Sequence, residues 1–142
     1  MLILLHDTAV YWRMLPYASK YGLRLIAISL RDYRGSTPYS AEEDAELDNP
    51  TPEVQVATVR KFGREVSDFL VYVCENLRIS PIVMDERGEP TAGLVVLAWS
   101  MGSMSITAIL GDPDSLEERE RGVLELYLRK AVLYGEQNEI QN

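Results

Sequence analysis

This sequence is poor in the residues from which metal and redox sites are built. It has one cysteine, Cys74, and one histidine, His6. An internal disulfide needs a second cysteine, and a zinc site needs several Cys or His ligands at set spacings, so neither is expected. Cys74 falls on the apolar side of a helical pattern, which predicts a buried, inert thiol. Positive charge is scarce too: 14 Lys and Arg stand against 22 Asp and Glu, a net charge of −8. Such a surface repels phosphate backbones and anionic lipid, which makes nucleic acid a poor partner. Long hydrophobic runs are missing. Met1-Leu2-Ile3-Leu4-Leu5 is apolar but too short for a signal peptide and lacks a basic flank and a cleavage pattern. No stretch approaches the roughly 20 apolar residues of a membrane span. A reducing, cytoplasmic setting is the expectation these absences leave.

What is present reads as one α/β domain over residues 1–142. The composition, 46% hydrophobic and 25% charged, is that of an ordinary globular chain long enough to bury about two-thirds of its unfolded surface. The acidic clusters at Glu42–Asp48 and Glu117–Glu120 read as solvated faces or loop.

The stretch Gly93–Gly111, GLVVLAWSMGSMSITAILG, organises the rest. Leu94-Val95-Val96-Leu97 is the continuous apolar run of a strand buried on both faces. It breaks at Ala98-Trp99-Ser100-Met101-Gly102, and a helical segment follows from Ser103 to Leu110. Strand, sharp turn and helix with a serine at the apex is the nucleophile-elbow pattern. The residues two before and two after such a serine approach closely and must be small; here they are Ala98 and Gly102. The competing reading is a small-residue turn between any parallel strand and its helix.

Around that stretch, Leu2–Leu5 predicts a buried strand, followed by a loop at His6–Ala9. Tyr11, Trp12, Met14 and Leu15 then lead into a short helix with Pro16 in its first turn and Gly22 ending it. Leu23–Leu30 predicts a second strand, then a polar turn over Arg31–Pro38 and an irregular acidic segment over Tyr39–Pro50. Thr51-Pro52 is the predicted start of a long helix, the threonine as its cap and the proline at its first position, with Val59, Phe62, Val66, Phe69, Leu70, Val73 and Leu77 at spacings of three and four. Ser80–Pro90 predicts a surface loop. A charged helix from Asp114 to about Tyr127 and a last strand, Lys130–Tyr134, complete the pattern. Alternating strands and helices indicate a mostly parallel sheet with helices on both faces. Ligands in such sheets bind beyond the carboxyl ends of the strands, where His6–Ala9 and Trp99–Gly102 lie.

These motifs, in this order, resemble the α/β-hydrolase superfamily almost from end to end. Leu4-Leu5-His6-Asp7 resembles the family strand ending in a His-Gly pair, with Asp7 in the glycine's place. Ser29-Leu30-Arg31-Asp32-Tyr33-Arg34-Gly35-Ser36 resembles its D-x-R-G-x-G-x-S turn, with Ser29 and Asp32 departing from it. Trp99-Ser100-Met101-Gly102 resembles the elbow, and Arg129–Gly135 the strand after the elbow helix. The turn with Tyr33, Gly35, Ser36 and Pro38 is similar to that of uncharacterised fungal members. The resemblance implies an eight-stranded sheet in the order 1-2-4-3-5-6-7-8, of which this chain matches the third to sixth strands. That is a partial fold of about four strands in the order 4-3-5-6.

By that resemblance Ser100 is the nucleophile of an esterase, lipase or thioesterase acting on a small-molecule ester or other acyl substrate, without a cofactor or metal. A serine rather than an aspartate at the apex argues against dehalogenase and epoxide-hydrolase chemistry. The oxyanion would be held by the backbone N–H groups of Met101 and Thr8, and Glu136 occupies the vicinity where some lipases carry the acid. Trp99, Met101 and Met104 surround the serine with apolar bulk, as acyl pocket or as core. The family places its catalytic histidine after the serine, whereas His6 precedes it and matches the histidine that supports the oxyanion loop. The chain is therefore expected to lack its base and, isolated, to be weakly active or inactive. The alternative is a non-catalytic fragment or interaction module that self-associates through exposed sheet edges.

Overall fold

The computed structural model describes residues 1–135. Strand β1 (Leu2–His6) runs into two short helices, α1 (Thr8–Tyr11) and α2 (Leu15–Lys20), joined by a single 3-10 turn. Strand β2 (Leu25–Ser29) is followed by α3 (Ala41–Leu47) and the long α4 (Pro52–Asn76). A hairpin of β3 (Ile82–Met84) and β4 (Pro90–Ala92) leads to β5 (Leu94–Trp99) and α5 (Met101–Gly111). Helix α6 (Glu118–Tyr127) then runs directly into β6 (Leu128–Tyr134).

Four strands form one parallel sheet in the order β2-β1-β5-β6. This matches the 4-3-5-6 order expected from the sequence, with β2 and β6 outermost among the described residues. Alternation along β1 sends Ile3 and Leu5 to one face, where they join Val96 and Ala98 of β5. Val66, Leu70 and Val73 of α4, Ile106 and Ile109 of α5, and Leu124 of α6 close the same core. Leu4 points the other way and is also fully buried. Helix α1 packs against β1 and β2, and its Tyr11 hydroxyl donates to the Leu5 carbonyl. No helix among the described residues is long and apolar enough to cross a membrane.

The helices α4 and α5 approach each other closely at Gly63. A Cβ there would lie 2.9 Å from the Cβ of Ala108, so the crossing depends on a small residue on each helix. Cys74, on the buried face of α4, has its thiol pushed up to about 11 by burial, which suits an unreactive core position.

Three expectations need correction. The Tyr39–Pro50 segment is not irregular: Ala41–Leu47 is helical, started by a capping box in which Ser40 and Glu43 satisfy each other's backbone N–H groups. The Ser80–Pro90 loop contains β3 and leads into β4. Its tip is tightened by Asp85, whose carboxylate accepts from the N–H groups of Arg87 and Glu89. Thr51 stands at the cap position of α4, but its side chain makes no capping hydrogen bond; the start rests on Pro52.

Candidate active site

The elbow owes its shape to one residue's backbone. Ser100 has φ 51° and ψ −119°, outside every region that a side chain with a Cβ adopts freely. A non-glycine residue in such a region costs on the order of 1–3 kcal/mol and persists only when its surroundings enforce it. The enforcing contacts are on both sides of the serine. Its N–H donates to the carbonyl of Tyr134 at the end of β6, 2.9 Å away. The Ser103 hydroxyl donates to the Ala98 carbonyl at 3.1 Å and also lies 3.4 Å from the Tyr134 carbonyl. Below the turn, Gly102 is pressed against the backbone of Leu5 in β1, where no side chain fits. Ser100 itself is exposed, and its hydroxyl makes no capping bond to α5. The result is a serine hydroxyl raised at the carboxyl end of the sheet.

Two backbone donors were expected beside it. Met101 is the first residue of α5, where N–H groups have no partner within the helix and carry the positive end of its dipole. Thr8 lies past the end of β1, next to β5 in the sheet, with Leu5 paired to Ala98. Its N–H is already engaged: it donates to Ser29 Oγ at 3.1 Å, and Thr8 Oγ1 lies 3.1 Å from the same oxygen. An oxyanion would have to displace Ser29 to use it. Glu136, the expected acid, lies outside the described residues.

His6 is held by aromatic neighbours. Its Nε2 shares a 3.0 Å hydrogen bond with the Tyr33 hydroxyl, and its ring centroid lies 4.7 Å from that of Tyr33 and 4.6 Å from that of Trp99. Its Nδ1 is buried without a partner among the described residues. Burial, then the charge of Asp7, raises the Tyr33 hydroxyl above the ordinary tyrosine value, so it stays protonated at neutral pH. His6 thereby ties the turn after β2 to Trp99, the residue before the serine.

That turn is anchored on its other side by Arg31. Its guanidinium pairs with Glu43 of α3 at 2.6 Å and Glu65 of α4 at 2.9 Å, and its charge sits 4.7 Å over the Tyr39 ring. Lys61 adds a second cation to Glu43 at 2.7 Å. Arg31 and Lys61 hold the Glu43 carboxyl well below the usual carboxylate range. Asp32, which stands where the hydrolase pattern has glycine, has φ 66°. Aspartate tolerates that left-handed conformation better than most residues.

Between this anchored turn, α3, α4 and the first turn of α5 lies a cavity of about 320 Å³. Of the three apolar residues expected around the serine, only Met101 lines it. Trp99 packs on His6, and Met104 is partly exposed. Ser29, Tyr33 and Ser103 are the site residues that sequence reasoning missed. Ser29 and Tyr33 have partners distant in the chain, Ser103 reaches both the nearby Ala98 and the distant Tyr134, and a hydroxyl in a turn or helix carries no local signature of such a role. Comparison with protein-family models, curated proteins and solved structures finds no match to this chain.

Proposed function

We propose that this chain carries the nucleophile half of a serine hydrolase of the α/β-hydrolase type, with Ser100 attacking the carbonyl of an ester or related acyl substrate. The observation that supports this most is the Ser100 backbone at φ 51° and ψ −119°, at the apex between a buried parallel strand and its helix. Strain of this kind without a function is a pure cost to stability. The family assignment also draws on the strand order, the glycine-like φ of Asp32 and the His6–Tyr33 contact that steadies the loop beside the serine.

In this reading the Ser100 hydroxyl attacks the acyl carbon, its proton passes to a base, and the alcohol or thiol leaves to give an acyl-enzyme that water clears. The oxyanion is held by the Met101 N–H, with Thr8 joining once Ser29 yields its hydrogen bond. One such donor is worth about 2.7–4 kcal/mol at the transition state. His6 is a positioning residue, because Nε2 is taken by Tyr33 and Nδ1 is enclosed. The base therefore comes from outside residues 1–135. A reducing, cytoplasmic setting goes with the reading.

The test is labelling of the purified chain with a biotinylated fluorophosphonate, read by intact mass and peptide mapping. A slow, single adduct on Ser100, lost in Ser100→Ala and kept in His6→Ala, is the expected result. An adduct elsewhere, or none, would refute Ser100. Rapid labelling lost in His6→Ala would make His6 the base and refute an external one.

A second reading is favoured by the sheet margins. Strands β2 and β6 each have one unpaired edge among the described residues, and Trp12, Tyr17 and Tyr21 are more than half exposed nearby on the α1–α2 segment. As an interaction module the chain would self-associate through those edges. Light scattering decides: a monomer at high concentration contradicts this reading.

A further inference from the structure

The cavity beside the elbow has the size and lining of a small-molecule site. At about 320 Å³ it falls at the lower end of the range for ligand pockets. Its wall is largely apolar and aromatic: Tyr33, Tyr39, Leu47, Phe62, Val66 and Met101. Met101 places it, because the residue that follows Ser100 and opens α5 also walls the cavity.

Charge on the wall narrows the occupant. Arg31, Asp32, Asp44 and Glu65 contribute to the lining. The Arg31 guanidinium is ion-paired with Glu43 and Glu65, its second amino group also donates to the Pro38 carbonyl at 3.0 Å, and its Nε is buried without a partner among the described residues. Among the described residues Arg31 is the one cation on the wall, and its charge is already balanced by two carboxylate partners, while Asp32 and Asp44 add negative charge. A carboxylate or phosphate would enter against that field, whereas an uncharged hydrocarbon meets aromatic and aliphatic surface.

We propose that this cavity binds the uncharged apolar group of the acyl substrate, an alkyl chain of medium length, and so sets chain-length preference at Ser100. The preference for an ester substrate rests on the nucleophile reading above; the binding of an uncharged alkyl group does not. Met101 links the two, its backbone serving the oxyanion and its side chain the substrate tail.

The experiment separates binding from chemistry. In Ser100→Ala protein, which has no nucleophile, 1-octanol is titrated and followed by NMR shifts of the Met101 methyl and the Tyr39 and Phe62 rings. Saturable shifts at those residues are expected, with sodium octanoate binding at least tenfold more weakly. Leu47→Trp, which fills the cavity from α3, should weaken octanol at least tenfold while its urea midpoint shows that it still folds. Octanol that fails to saturate, that binds elsewhere, or that ignores Leu47→Trp would overturn the proposal, as would octanoate binding equally well. The chemical arm compares p-nitrophenyl octanoate with p-nitrophenyl acetate, with imidazole supplied as base. The octanoate ester should acylate Ser100 at least tenfold faster, and Leu47→Trp should remove that advantage. Octanol binding with no preference between the esters would overturn the substrate role alone. Octanol binding with no Ser100-dependent reaction of either ester would instead refute the nucleophile reading.

Discussion

Gly102 lies so close beneath Leu5 that a Cβ on it would run into the Leu5 carbonyl oxygen and stand 3.1 Å from the carbonyl carbon. The neighbour is strand backbone, which cannot turn aside as a side chain can. Gly102→Ala should therefore force β1 and the start of α5 apart. Overpacking of this kind costs about 1–3 kcal/mol, read as a lower urea midpoint at unchanged slope. A wild-type midpoint in this variant would mean that the turn is looser in solution than its geometry here.

Ser100→Gly tests the strain at the elbow from the opposite direction. Glycine adopts φ 51° without a Cβ clash, so the variant recovers on the order of 1–3 kcal/mol. The greater freedom of glycine in the unfolded chain takes back about 0.4–1 kcal/mol. The balance predicts that Ser100→Gly is more stable than both wild type and Ser100→Ala in urea unfolding. Equal stability of the glycine and alanine variants would show that Ser100 is unstrained.

Glu120 supplies a pH-dependent prediction. Its carboxyl is buried at the contact of α6 with α4, and burial, reinforced by the neighbouring Asp68 carboxyl, raises its proton affinity. A carboxyl raised in the fold binds its proton more tightly there than when unfolded. Its contribution is therefore most favourable below the unfolded value of about 4.3 and is lost as pH rises through the folded value. Glu120→Gln keeps an oxygen for the Glu117 N–H, which Glu120 accepts at 2.9 Å, and removes the charge. The variant should melt above wild type at pH 7, and the gap should close at pH values below about 4. A gap that persists unchanged into acid would assign the effect to packing instead.

The sheet and its elbow were legible because their signals are local. The Leu94–Leu97 run, the small residues Ala98 and Gly102, and the apolar spacing of α4 each lie within a few turns of chain. The strand order followed from matching those pieces to a known connectivity. Helix α3 was hidden in an acidic stretch whose composition reads as loop. The capping pair Ser40 and Glu43 was the available signal, and the Arg31 and Lys61 charges that support Glu43 come from elsewhere in the chain. The tertiary parts of the site were not legible. Nothing near Thr8 announces that Ser29 will take its N–H, and nothing near His6 announces Tyr33, 27 residues away. The cavity at Met101 is likewise a product of helix packing, assembled from five separate segments.

The central claim is that Ser100 is a nucleophile and that the described residues hold no base for it. General-base assistance is worth about 10²–10⁴-fold, so the isolated chain should hydrolyse p-nitrophenyl acetate little above background. Imidazole added in solution can stand in for the missing side chain. The decisive measurement is p-nitrophenolate release against imidazole concentration for wild type, with Ser100→Ala as the background for imidazole's own reaction. A wild-type rate that climbs above the Ser100→Ala rate as imidazole increases, with an acetyl group found on Ser100, is the predicted result. Identical rates for the two proteins at every imidazole concentration would contradict it.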